Sequence, residues 1–208
     1  MNCLIDLDGT LLDASGRLYG LFCEMIGDDA SLSLRQYWDL KRAKQSHAVI
    51  LKERFGYSDE EIRDFERRWL DRIEDEHWLE RDTPFEGVGA HLETLAQNAD
   101  LHLLTARQRP EMVRRQLEKM GWSSLFKSLL ITGGKRSKDE LLEGAALEPA
   151  DWLIGDTGYD VKVGKKLGVR TAAVSNGFLS RESLAPYDPD VLLDKFTDFV
   201  PWAIDDRR

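Results

Sequence analysis

Apolar residues follow two different rhythms along this chain, and the place where the rhythm changes divides it. Residues 2–7 are apolar at most positions and run into Asp8-Gly9-Thr10, the pattern of a short buried strand entering a turn. From about residue 15 to residue 81 the apolar positions recur with a helical period: Leu18, Leu21, Phe22 and Met25 in one stretch, Ile62, Phe65, Trp69 and Ile73 in another. Ser58 stands ahead of a run of acids there, as a helix N-cap should. This stretch predicts a compact helical unit of about four helices. One of them is expected over 33–51, where a period of 3.6 puts Leu34, Tyr37, Trp38, Gln45 and Ala48 on one face with Lys41 in its middle.

After Thr83-Pro84 strands and helices alternate. Helices are predicted over 91–97, 110–120 (opened by Pro110), 138–146 and 159–167, and strands over 101–105, 128–132, 152–154 and 169–174. That alternation predicts an α/β fold with a mostly parallel sheet flanked by helices. The expected division is a discontinuous core of 1–14 and 82–208 interrupted by a helical unit of 15–81, with 205–208 a frayed tail.

In open sheets of this kind ligands gather outside the carboxyl ends of the strands, so the residues just after each strand carry the candidate chemistry. Asp6-Leu7-Asp8-Gly9-Thr10-Leu11 closes the first strand with two carboxylates and a glycine. Such acids are costly beside an apolar strand unless paired, and a divalent cation is an obvious partner, although Asp and Gly also serve ordinary turns. Trp152-Leu153-Ile154-Gly155-Asp156-Thr157-Gly158-Tyr159-Asp160 ends a later strand in the same way. Magnesium takes one or two carboxylates together with water and phosphate oxygens, and Asp6 and Asp156 fit that demand. Asp160 would stand behind the metal ligands, or simply favour the first turn of a helix. Thr105 and the amides after it, beginning with Ala106, are placed to hold phosphate oxygens. Lys138 would set an ammonium on the same phosphate, with Lys135 competing for the role.

Charge narrows the classes. Lys and Arg number 29 against 38 Asp and Glu, a formal charge of −9, so no chain-wide basic field exists to attract nucleic acid or an acidic membrane. No segment approaches membrane-spanning length, and the apolar start lacks a basic leader. Cys3 and Cys23 lack metal-ligand spacing, which argues against zinc or a disulfide and for a reducing cytoplasm. Gly133-Gly134-Lys135 is not a nucleotide-binding P-loop, because Arg136 replaces the required Ser or Thr and Leu129 the first Gly.

The set Asp6-Leu7-Asp8-Gly9-Thr10, then Thr105, then Lys138, then Gly155-Asp156-Thr157-Gly158-Tyr159-Asp160 resembles, in this order, the four motifs of the haloacid dehalogenase superfamily. Residues 15–81 match the position of that family's small helical cap, and Val174-Ser175-Asn176-Gly177-Phe178-Leu179-Ser180 looks like its phosphoglycolate-phosphatase-like branch. The resemblance implies a Rossmann-like core and a Mg²⁺-dependent phosphatase acting on a small phosphorylated metabolite. By similarity Asp6 is the nucleophile and Asp8 the acid and later base. Thr105, Ala106 and Lys138 bind the phosphoryl group, and Asp6, the Asp8 carbonyl and Asp156 hold the metal. Dehalogenases and phosphonate hydrolases of the family lack the second aspartate of the first motif, so Asp8 favours phosphate transfer. A sugar phosphomutase uses the same Asp pair and stays open, as does a phospho-ligand-binding protein without catalysis. Lys41, aided by Arg42, is expected to meet an anionic or polyhydroxyl part of the substrate, against the alternative that its stem snorkels to water.

Overall fold

The computed structural model of the protein describes residues 1–27 and 31–205, so 206–208 of the expected tail lie outside them. It divides into two compact units, Met1–Leu12 with Pro84–Arg208, and Asp13–Thr83.

The first unit is built on six strands among the described residues: β1 (Asn2–Ile5), β4 (Asp100–Thr105), β5 (Phe126–Ile131), β6 (Trp152–Gly155), β7 (Arg170–Val174) and β8 (Val191–Leu193). They form one parallel sheet in the order β5-β4-β1-β6-β7-β8. Two short strands, β2 (Leu12–Asp13) and β3 (Thr83–Pro84), make a separate two-stranded ribbon. β1 is apolar from Cys3 to Ile5 because both faces are covered there. Cys3 and Ile5 pack with Leu101, Leu103, Trp152 and Ile154 under α6 (Val88–Ala96) and α7 (Pro110–Lys119), which contribute Leu92, Leu95, Val113 and Leu117. Leu4 turns the other way, with Leu104 and Leu153, toward Val163 of α9 (Gly158–Leu167). A strand buried on both faces needs a near-continuous apolar run, and burying its side chains stabilises by about 1.5–3 kcal/mol each. The fold class is α/β, a Rossmann-like parallel sheet flanked by helices.

Three expectations need correction. The helix predicted over 138–146 closes after one turn, as α8 (Lys138–Leu141), with Gly144 in the left-handed region at φ 78° soon after. β8 was not anticipated at all. In the second unit the helix predicted over 33–51 is two, α2 (Leu34–Arg42) and α3 (His47–Phe55). Lys44 is left-handed at φ 66°, and the Ser46 side chain caps α3 by accepting the Val49 N–H. Gln45 therefore lies in the connection and Ala48 on the next helix, so neither shares the face of Tyr37 and Lys41.

The second unit also contains α1 (Ser15–Ile26), α4 (Asp59–Arg72) and α5 (Glu76–Leu79). Ser58 caps α4 in a reciprocal box with Glu61. Its core is aromatic: the rings of Phe22 and Tyr37 lie 4.8 Å apart, and His47 meets Trp69 edge-on at 4.2 Å. A buried ion pair joins Arg17 to Asp82 at 2.8 Å, and Arg17 also donates to the Ile73 carbonyl.

Candidate active site

The three central strands of the sheet deliver their carboxyl ends side by side. The Asp6 N–H donates to the Ile154 carbonyl at 2.9 Å, continuing the pairing of β1 with β6 and bringing Asp6 beside the turn that carries Asp156. α9 begins immediately after that turn with a reciprocal capping box: Asp160 accepts from the Thr157 amide and hydroxyl, and its own amide donates back to Thr157. The box fixes one Asp160 oxygen and leaves the other pointing inward. α8 is capped in the same way by Ser137 and Glu140, which places Lys138 at its first position. Lys138 Nζ then donates to Asp6 and to Asp160, at 2.6 Å each.

Asp6, Asp156 and Asp160 are all buried, and each offers an oxygen within 4.8 Å of the others. Asp156 Oδ2 accepts the Phe178 N–H at 2.5 Å, and the Thr10 hydroxyl lies 3.5 Å from Oδ1. Glycine is required beside it. A Cβ at Gly9, whose φ is 80°, or at Gly177 would collide with the Asp156 carboxylate. Burial drives the Asp6 carboxyl up to about 7; the Lys138 ammonium pulls it down, and the charges of Asp160 and Asp8 push it up. Asp156 is also raised well above the usual carboxylate range, by burial first and by Asp6 and Asp160 next. Burial works against the Lys138 ammonium, but Asp160 and Asp6 outweigh it and raise its pKa. Three buried acids thus share one ammonium, and the negative excess is what a cation preferring hard oxygen ligands would offset.

Thr105 ends β4, buried, and its hydroxyl accepts the Arg107 N–H at 3.4 Å. Ala106 is exposed beside it, and Lys135 is exposed while Lys138 is buried against Asp6. Asp8 departs from the cluster. Its carboxylate is gripped by Arg107, with Nε donating at 2.5 Å and Nη2 at 2.6 Å. Lys41 and Arg42 belong to the second unit, both half-buried at the end of α2. Sequence reasoning passed over Arg107, and also Tyr159, whose hydroxyl accepts the Lys138 N–H and donates to Asp139, both at 3.2 Å. Tyr159 stood inside a motif already singled out, just before Asp160, and Arg107 lay two positions after Thr105, just beyond the end of another. Nothing in a linear sequence says that an arginine will be buried.

A family model for haloacid dehalogenase-like hydrolases matches residues 3–174, most of the chain and the whole of the cluster just described. The chain belongs to that family. Among relatives of this hydrolase, a pyrophosphatase PpaX of Bacillus cereus is 40% identical over 67 residues, 32% of this chain and 31% of the relative. The match therefore spans less than a third of that curated relative. In fold it is similar to a haloacid dehalogenase-like hydrolase from Streptococcus pneumoniae, with TM-score 0.75 and 19% identity over 95% of each chain. A structure described as a predicted phosphoglycolate phosphatase from Haemophilus somnus aligns with TM-score 0.63 and 20% identity over 94% of each. Among the described residues no helix is long and apolar enough to cross a membrane.

Proposed function

We propose that this hydrolase is a Mg²⁺-dependent phosphatase that cleaves a small-molecule phosphate monoester through an aspartyl phosphate on Asp6. The observation that carries the reading is Lys138 Nζ seated between Asp6 and Asp160 at 2.6 Å each, with Asp156 completing the buried acid cluster. The donor set fits the metal: Asp6 and Asp156 supply carboxylate oxygens, the Asp8 carbonyl a third, and Asp160 holds Lys138 behind them. Bound there, Mg²⁺ would supply positive charge against the repulsion between carboxylate and phosphate.

The chain's own groups do the rest. Lys138 orients the Asp6 oxygen and balances charge as that oxygen bonds to phosphorus and the ester P–O bond breaks. Asp8 gives the departing oxygen its proton. The resulting carboxylate takes a proton from water, whose oxygen attacks phosphorus, releases phosphate and restores Asp6. Thr105 and the amides of Ala106 and Arg107 are positioned to receive the phosphate oxygens.

We read residues 15–81 as a cap that selects the rest of the substrate, with Lys41, aided by Arg42, as an anion contact. Support comes from Lys41 itself: burial lowers its ammonium to about 8, and among the described residues no carboxylate forms an ion pair with it. Two free cysteines, Cys3 and Cys23, are in keeping with a reducing cytoplasm. The test is a panel of phosphate esters, with inorganic pyrophosphate included because of the relative's name, assayed with and without Mg²⁺. Asp6→Asn should remove turnover on every substrate and prevent acid-stable labelling of the protein by a radioactive phosphoryl group. Substantial turnover by Asp6→Asn on a good substrate would sink the covalent mechanism.

A further inference from the structure

Arg107 is held more firmly than a loop residue after a strand needs to be. Its carbonyl accepts the Gly133 N–H at 3.0 Å and the Thr132 hydroxyl at 3.3 Å, and its own N–H donates to Thr105 Oγ1 at 3.4 Å. The side chain is 3% exposed and meets both oxygens of Asp8, itself 19% exposed. Nη2 also reaches Oε1 of Gln116, a buried residue of α7, at 3.4 Å. β4 therefore ends on Thr105, at the candidate phosphate station, and two residues later the loop after it carries the group that grips Asp8.

Two parallel N–H bonds fix the plane of a carboxylate as a single ammonium cannot. A carboxylate has two lone pairs on each oxygen, so a fork of this kind can hold its plane without consuming its whole capacity to accept. A purely structural ion pair tying the β1 turn to the β4 loop would have the same contacts, but its removal would slow all substrates alike.

We propose that Arg107, braced by Gln116, is a positioning residue for proton transfer at Asp8: it holds the Asp8 carboxyl where the leaving oxygen, and afterwards the attacking water, meets it. The inference rests on the reading of Asp8 as acid and base. In the first step Asp8 O–H protonates the oxygen leaving phosphorus as the Asp6–phosphorus link forms. In the second the Asp8 carboxylate takes a proton from water as the water oxygen bonds to phosphorus and the Asp6 link breaks.

The test compares kcat/KM, which reports events up to departure of the leaving group, for an alkyl phosphate and for p-nitrophenyl phosphate, whose leaving group needs little protonation. The proteins are the wild type, Asp8→Asn, Arg107→Met, Arg107→Lys and the Asp8→Asn/Arg107→Met double variant, all with Mg²⁺. Arg107→Met should lose roughly 10- to 100-fold on the alkyl ester, as a misplaced catalytic group does, and much less on the aryl ester. Arg107→Lys keeps the charge without the fork, so it should show the same selective loss and decides the matter if Arg107→Met fails to fold. In the Asp8→Asn background Arg107→Met should add no further selectivity for leaving group. Equal losses on both esters for the two Arg107 variants, beside a selective loss for Asp8→Asn, would overturn the role of Arg107 alone. Equal losses for Asp8→Asn itself would remove Asp8 from proton transfer, and the inference with it.

Discussion

His47 sits where only a neutral imidazole fits. Its Nε2 is 2.8 Å from the Tyr37 hydroxyl, and its ring stacks on Phe22 and meets Trp69 edge-on. Burial first, and the Lys41 charge second, push its pKa down to about 3. Because the unfolded chain has a histidine near 6.5, it takes up a proton below that pH which the folded chain refuses. Stability is therefore complete above about pH 6.5 and drains away as the pH falls toward 3. At pH 5 the loss should be on the order of 1–2 kcal/mol. Melting curves of wild type and His47→Phe at pH 7.5 and pH 5 check this, and an unchanged pH difference in the variant would refute it. Lys41 works in the same sense at higher pH. Its folded pKa of about 8 lies below the usual 10.5, so at neutral pH its full cost is present. Lys41→Met should raise stability on the order of 1 kcal/mol while weakening turnover of an anionic substrate. A melting temperature that does not rise would mean that the ammonium is well solvated.

Short elements matter most where they carry a charge. α8 is a single turn, too short to hold itself, yet it carries Lys138. Its anchors are the Ser137–Glu140 box and the Tyr159 hydroxyl, which ties it to the start of α9. Tyr159→Phe should lower turnover about five- to tenfold, the worth of a net hydrogen bond or slightly more. Unchanged kinetics would show that the cap alone positions Lys138. Elements like this one mark the limit of what the sequence made legible. β1 could be read because both faces are buried from Cys3 to Ile5 and those positions had to be apolar, and the acids could be read because a strand's end is a linear coordinate. The break between α2 and α3 could not, since helical spacing runs across residues 43–46 and only Ser46, an ordinary cap residue, hints at it. β8 is three residues long, below the length at which alternation carries a signal. The grip of Arg107 on Asp8 depends on how two loops cross, and no linear pattern records that.

At the scale of the whole molecule, the buried acid cluster is a fault in stability that a ligand would repair. Mg²⁺ binding to the folded state should raise the melting temperature with concentration, and chelator should reverse the shift. Asp156→Asn removes one of the three acids that share Lys138, so it should melt higher than the wild type in chelator yet gain little from Mg²⁺. An identical Mg²⁺ shift in that variant would place the ion elsewhere. The strand order has another effect, on the making of the protein. Asn2 pairs with Asp100, and Cys3 with Trp152, so β1 waits for partners encoded far downstream while the helical unit of Asp13–Thr83 is contiguous. On the ribosome that unit is free to fold first, whereas β1 emerges with two open edges, the kind of segment that chaperones hold. Asp6 gains its neighbours only after Asp156 and Asp160 have been synthesised, so a nascent chain has no working site until its sheet has closed.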